Sequence, residues 1–143
     1  MTATTANSET PASPAPEKQA EPEKKSEFIL YLEGSAYDDA LQGLVDWVRY
    51  LLLPVYGREP TSSAPWCSRW WEHPEAVAQL HALWMSWQDL TGPGSALSGP
   101  LNWHRDCLAH VMASLRDPSG PFAGCKKGSH RAKEAPTADD YGF

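Results

Sequence analysis

Between Tyr37 and Leu115 the apolar residues recur at intervals of three and four in three separate runs, each closed by proline or glycine. In the first run Tyr37, Leu41, Leu44, Val45, Val48, Leu51 and Leu52 share one side, while Asp38, Asp39, Gln42, Asp46 and Arg49 fill the other. Ser35 and Asp38 have the spacing of a capping box that opens this helix. Pro54 is expected to close it near Leu53, because its ring clashes with a continuing turn. The second run starts at Pro74, with Glu75 favourable at the positive end of the helix dipole, and carries Val77, Leu80, Leu83, Trp84, Trp87 and Leu90. The segment "TGPGSALSGP" breaks it. The third runs from Pro100 to Arg116 and is expected to bury Leu101, Leu108, Val111, Met112 and Leu115 before the turn "DPSG" at 117–120. "FILYLEGS" ahead of the first helix reads as a strand stub or an extended lead-in. No alternating strand pattern appears, so the expected fold is all-α, a small three-helix domain.

The ends read differently. Residues 1–26 hold no aromatic residue, leucine, isoleucine or valine, but four prolines among alternating Glu and Lys. Such a stretch buries too little apolar surface to offset the entropy of ordering it, and it is expected to be a disordered tail, as is 131–143. That leaves 27–130 as the helical domain. No secretory signal is visible, and "FILYL" and "YLLLPVY" are far shorter than the roughly 20 residues that span a bilayer. An odd count of three cysteines without an export signal points to reduced thiols and a cytoplasmic protein with no membrane contact. The net charge is −6, yet six bases and two acids lie between Arg105 and Lys133. The overall acidity argues against a dedicated nucleic-acid binder, while the basic segment concentrates on one region.

That region carries the chemistry. Cys107-x2-His110 falls within the third helix, where residues three apart share a face, and Cys125-x4-His130 follows in a loop bounded by Gly124 and Gly128. Two local pairs of Cys and His are how structural zinc sites are commonly supplied, since each pair is assembled at little loss of chain entropy. The pattern predicts a zinc knuckle from Cys107, His110, Cys125 and His130, with His104 as an alternative ligand or a group that orients one. After the third helix only Phe122 anchors the chain, so a bound zinc would supply the missing crosslink. The other reading makes Cys107 a small buried apolar residue and leaves Cys125 and His130 as loop residues.

Seven tryptophans need placing. Trp47, Trp84 and Trp87 lie at core positions of helices. Trp66, Trp70 and Trp71 in "WCSRWWEHP" cannot all face one way; packing between the first two helices competes with a partner surface that includes Arg69. The basic residues Lys126, Lys127 and Arg131 form a second candidate contact edge. Phosphate-binding, dinucleotide-binding, metalloprotease and nucleophile-elbow motifs are all absent. A shell of four protein ligands also leaves no open position for catalysis.

The segments "YLLLPVYGR" (50–58), "WCSRWWEHPEAVAQLHALWMSWQDL" (66–90) and "WHRDCLAHVMASLRDPSGPFAGCKKGSH" (103–130) resemble the actinobacterial domain-of-unknown-function family 4913 over about 37–130. The resemblance implies a helical histidine where this chain has Cys107, followed by histidine and the residues matched by His110, Cys125 and His130. Zinc accepts either ligand type, so the exchange keeps a metal site open. The resemblance also implies association with plasmids, integrative elements or phages, often beside conjugative DNA-transfer genes. The expected function is therefore a non-enzymatic adaptor or regulatory protein of a mobile element, stabilised by structural zinc and bound to a protein partner. DNA contact through 126–133 is a variant of that reading. The alternative from another class is a metal-dependent hydrolase or nuclease using His104 and His110.

Overall fold

The computed structural model describes residues 27–142. The expected disorder of 1–26 lies outside the described residues, as does position 143. Three long helices make up the domain: α1 over 34–56, α2 over Pro74–Thr91 and α3 over 99–115. No strand forms among the described residues; two isolated bridges, Thr61 with Ala64 and Lys126 with Ser129, close tight turns. The chain is all-α, with the helices where their periodicity predicted them.

Two features of α1 differ from expectation. No side chain caps its N-terminus, so the Ser35–Asp38 box does not form; Gly34 instead turns the chain into the helix at φ 59°. The helix also passes Pro54 and ends at Tyr56. A π-helical turn over Val48–Leu52 precedes the proline, and the Leu53 amide bonds back five residues to Val48. Pro54 thus stands at the start of a fresh α turn, where a missing N–H leaves nothing broken. A second π turn over Trp103–Leu108 interrupts α3, with the Ala109 amide bonded to the His104 carbonyl.

The core is built from the predicted stripes. Leu44, Val48 and Leu52 of α1, Val77, Leu80 and Leu83 of α2, and Leu115 of α3 are buried. Trp103 is fully buried at the centre, its indole N–H donating to Ser86 Oγ at 3.1 Å. Trp47, Trp84 and Trp87 gather around it; the Trp87 and Trp103 rings meet edge-on at 4.7 Å. Leu101, expected inside, is exposed. The lead-in is neither a strand nor extended: Ile29–Tyr31 forms a 3-10 turn that buries Ile29 against α2. There the Ile29 amide donates to Nδ1 of His81, a buried histidine on the core side of α2.

Beyond α3 the chain reverses. The Ser119 amide bonds the Asp117 carboxylate at 2.7 Å, and Phe122 drops into the core against Trp66 and His73. Arg116 ties α3 to the loop after α1 by donating to the carbonyls of Glu59 and Ala64, both at 3.0 Å. These contacts bring the loop before α2 and the loop after α3 to the same end of the domain. Residues 131–142 carry no regular secondary structure.

Candidate metal centre

At that end four donor side chains converge. Cys67, His73, Cys125 and His130 each present one ligand atom, and the four atoms lie within 4.8 Å of one another. Cys67 and His73 come from the turn that leads into α2, with His73 as the residue before the helix. Cys125 and His130 flank the reverse turn in which Lys126 and Ser129 exchange backbone hydrogen bonds of 2.9 and 2.8 Å. Gly124 and Gly128 take φ of 82° and 78° there, left-handed values open to glycine, which is the backbone role expected of them. Cys67, His73 and Cys125 are buried, and His130 nearly so.

The spacing suits a tetrahedral ion. Zinc bonds of about 2.3 Å to sulfur and about 2.0 Å to nitrogen give ligand–ligand edges of about 3.3–3.8 Å. Two edges of the quartet are already close to this: Cys67 Sγ to His130 Nδ1 at 3.2 Å, and Cys125 Sγ to His73 Nε2 at 3.5 Å. The groups around the ligands also suit a cation. Backbone amides reach both sulfurs, from Arg69 to Cys67 and from Arg131 to Cys125 at 3.4 Å. His130 turns Nδ1 toward the quartet and Nε2 toward the Glu72 carboxylate at 3.3 Å, the carboxylate–histidine arrangement that orients metal-binding imidazoles.

Electrostatics point the same way. Burial pushes the Cys67 thiol up to about 11; the Arg69 amide opposes this, and the nearby Cys125 and Glu72 add to the rise. The buried Cys67 thiol resists ionisation on its own, and a divalent cation reverses that preference. Burial, then the neighbouring His130 and Lys133, lowers the pKa of His73 and favours the neutral imidazole that a metal requires.

The predicted site residues divide. Cys125 and His130 belong to the quartet; Cys107 and His110 do not. Cys107 is half-buried against the core and His110 is exposed, both on α3. Among the described residues they join no group of three or more candidate ligands. His104 is likewise elsewhere: its Nδ1–H donates to the Pro100 carbonyl at 2.6 Å, and its Nε2 accepts the Tyr56 hydroxyl at 2.7 Å. Two local Cys–His pairs do converge, but the first is Cys67-x5-His73, in a segment dominated by tryptophans and a helix start. Its signal is a spacing close to that of Cys125-x4-His130.

A family model described as a domain of unknown function, DUF4913, matches residues 41–140. The chain belongs to this family. All four converging ligands of this DUF4913 member lie inside the matched span. No curated protein and no solved structure matches the chain. The departure at Cys107 therefore falls outside the metal centre, since the site takes its second cysteine from the loop before α2.

The candidate contact residues are also sorted by the fold. Trp70 is buried at 3% exposure and cannot face a partner, which corrects its assignment to a binding edge. Trp66 is half-buried on Phe122, and Arg69 is exposed but paired with Glu72 at 2.7 Å. Trp71 remains 43% exposed, beside a shallow cleft lined by Asp38, Leu41, Gln42 and Val45. Lys126 and Lys127 are exposed on the turn, whereas Arg131 folds its side chain over Gly124. No helix among the described residues is long and apolar enough to cross a membrane.

Proposed function

We propose that this DUF4913 chain is a non-enzymatic adaptor or regulatory protein whose Cys67, His73, Cys125 and His130 hold a structural zinc ion. The observation that carries the reading is the closed, buried quartet of two sulfurs and two nitrogens. Two thiolates with two imidazoles favour zinc, and four protein donors leave no position for substrate or an activated water. The ion would join the loop before α2 to the loop after α3, adding to the apolar anchor of Pro121 and Phe122. The partner is a protein that meets exposed Trp71 and its cleft, in the cytoplasm and in the service of a plasmid, integrative element or phage. The mobile-element setting, with its link to conjugative DNA transfer, rests on the family resemblance alone.

The hydrolase or nuclease reading is less well supported, because His104 spends both ring nitrogens on neighbours and His110 stands apart from any ligand cluster. A DNA contact at 126–133 would show affinity falling steeply with salt through counterion release, whereas docking at Trp71 would not. Replacing the bound ion with Co2+ tests the closed site directly. A tetrahedral cobalt spectrum that excess azide leaves unchanged is expected. A spectrum shifted by azide would reveal an exchangeable position and sink the structural reading.

A further inference from the structure

A second site lies between the end of α1 and the middle of α3 and shares no residue with the metal centre. It is a cavity of about 540 Å3, walled by Leu108 and Met112 and framed by Tyr56, His104, Arg58 and Arg116. That volume falls within the range of small-molecule sites, which are mostly apolar with a few fixed polar groups. Three of the polar groups here are held in place, while Arg58 stands exposed at the rim. The Tyr56 hydroxyl and His104 lock each other, with the Nδ1–H of His104 on the Pro100 carbonyl. Arg116 is pinned by two carbonyls through Nη2, while its Nε is buried without a hydrogen-bond partner.

Charge sets the ligand class. The ion pairs among the described residues are Arg69–Glu72, Arg105–Asp106 and His130–Glu72, so neither Arg58 nor Arg116 has a carboxylate within 4.0 Å. Two guanidinium groups without a counter-charge at the edge of an apolar hollow stand out in a chain of net charge −6. Guanidinium groups pair with carboxylates through short charge-assisted bonds, and more strongly where water is partly excluded. The cavity also lies where both long helices depart from regular geometry: His104 sits inside the π turn of α3, and Tyr56 closes the α turn that follows the π turn of α1. Such turns are frequent at functional sites. From these observations we infer that the cavity binds a small organic anion with an apolar body, of the medium-chain carboxylate class. The carboxylate meets Arg58 and Arg116, and the chain lies along Leu108 and Met112.

The test is an NMR titration of the metal-loaded protein with octanoate, run beside octanol and octylammonium. Octanoate is expected to shift the amide signals of Tyr56, His104 and Met112 saturably, with octylammonium inert and octanol much weaker. Arg58 and Ala113 are exposed, so their substitution leaves the core alone. Arg58→Gln should weaken octanoate roughly tenfold through loss of a charge-assisted bond, and Ala113→Phe should block the hollow. Absence of saturable shifts at millimolar octanoate overturns the inference. So does equal binding of the ammonium analogue, or affinity unchanged in both variants.

Discussion

Substitution of Cys67 by serine, compared with the same change at Cys107, tests the placement of the metal centre. The ligands close chain loops of 52 to 63 residues between the turn before α2 and the turn after α3. Removing a crosslink across loops of that size returns about 4 kcal/mol of entropy to the unfolded chain. At roughly 4–5 °C per kcal/mol for a domain of this size, the melting temperature should fall by about 15–20 °C when the ion leaves. The assay is thermal unfolding followed by circular dichroism, with and without chelator, together with zinc content per chain. The wild type should hold one zinc and lose that increment on chelation. Cys67→Ser should hold none and melt at one temperature in either buffer. Cys107→Ser should keep its zinc and the chelator response, with a packing loss within about 1 kcal/mol from a half-buried position. The chelator difference separates metal loss from packing loss, which matters because Cys67 is buried. Zinc retained by Cys67→Ser and lost by Cys107→Ser would refute the reasoning and return the site to α3.

Three further outcomes follow from the geometry. Glu72→Ala removes the carboxylate behind His130 and should weaken zinc roughly 10–100-fold in a chelator competition while the helices stay intact; unchanged affinity would mean that the 3.3 Å contact orients nothing. Gly43→Ala places a Cβ at 2.8 Å from the Trp84 ring where α1 crosses α2, so overpacking of about 1–3 kcal/mol should outweigh the gain of about 1 kcal/mol in helix propensity, and denaturant unfolding should show a net loss. Burial lowers the pKa of His81 below 6.5, and its neutral Nδ1 accepts the Ile29 amide. The unfolded state therefore binds more protons, and this contribution is complete above pH 6.5 and is lost as pH falls through the folded pKa. The pH dependence of unfolding should be shallower in His81→Gln, and an identical slope would exclude His81 as a source.

The helices were legible because burial of one face leaves a periodic trace, as Leu44, Val48 and Leu52 or Val77, Leu80 and Leu83 demonstrate. The π turns were not: the one before Pro54 and the one over Trp103–Leu108 leave no periodic trace of their own in the apolar stripes. Leu101 shows the limit of periodicity: in the first turn of α3 it continues the stripe but has nothing packed over it. Half of the metal centre was legible for a related reason. Cys125 and His130 stand in a glycine-bounded loop that advertises a turn, whereas Cys67 and His73 sit among tryptophans whose own chemistry draws the eye. Sequence spacing also favoured Cys107 and His110 because they are nearer in the chain, but α3 turns that pair away and delivers its C-terminal loop to the start of α2 instead.

The placement of the quartet in loops rather than on helices has a consequence for the rest of the molecule. Helices α1 and α2 are held by their own core, with Gly43 against Trp84 and Val77, Leu80 and Leu83 packed inward. The segment 117–130 has less such support, from buried Pro121 and Phe122, the Asp117 turn and the Lys133 bond to the Ala123 carbonyl. The exposed Lys126–Lys127 turn is bracketed by two of the candidate ligands, Cys125 and His130. Trp71 lies on the other side of the same ligand network, one residue from Glu72 and two from His73. An ion held by the quartet would thus tether both candidate contact edges, while the helical core stands without it. Under the proposed function, a metal that is structural in its chemistry would fix the shape of the surface offered to a partner, so that a protein without an open coordination position would still depend on its metal.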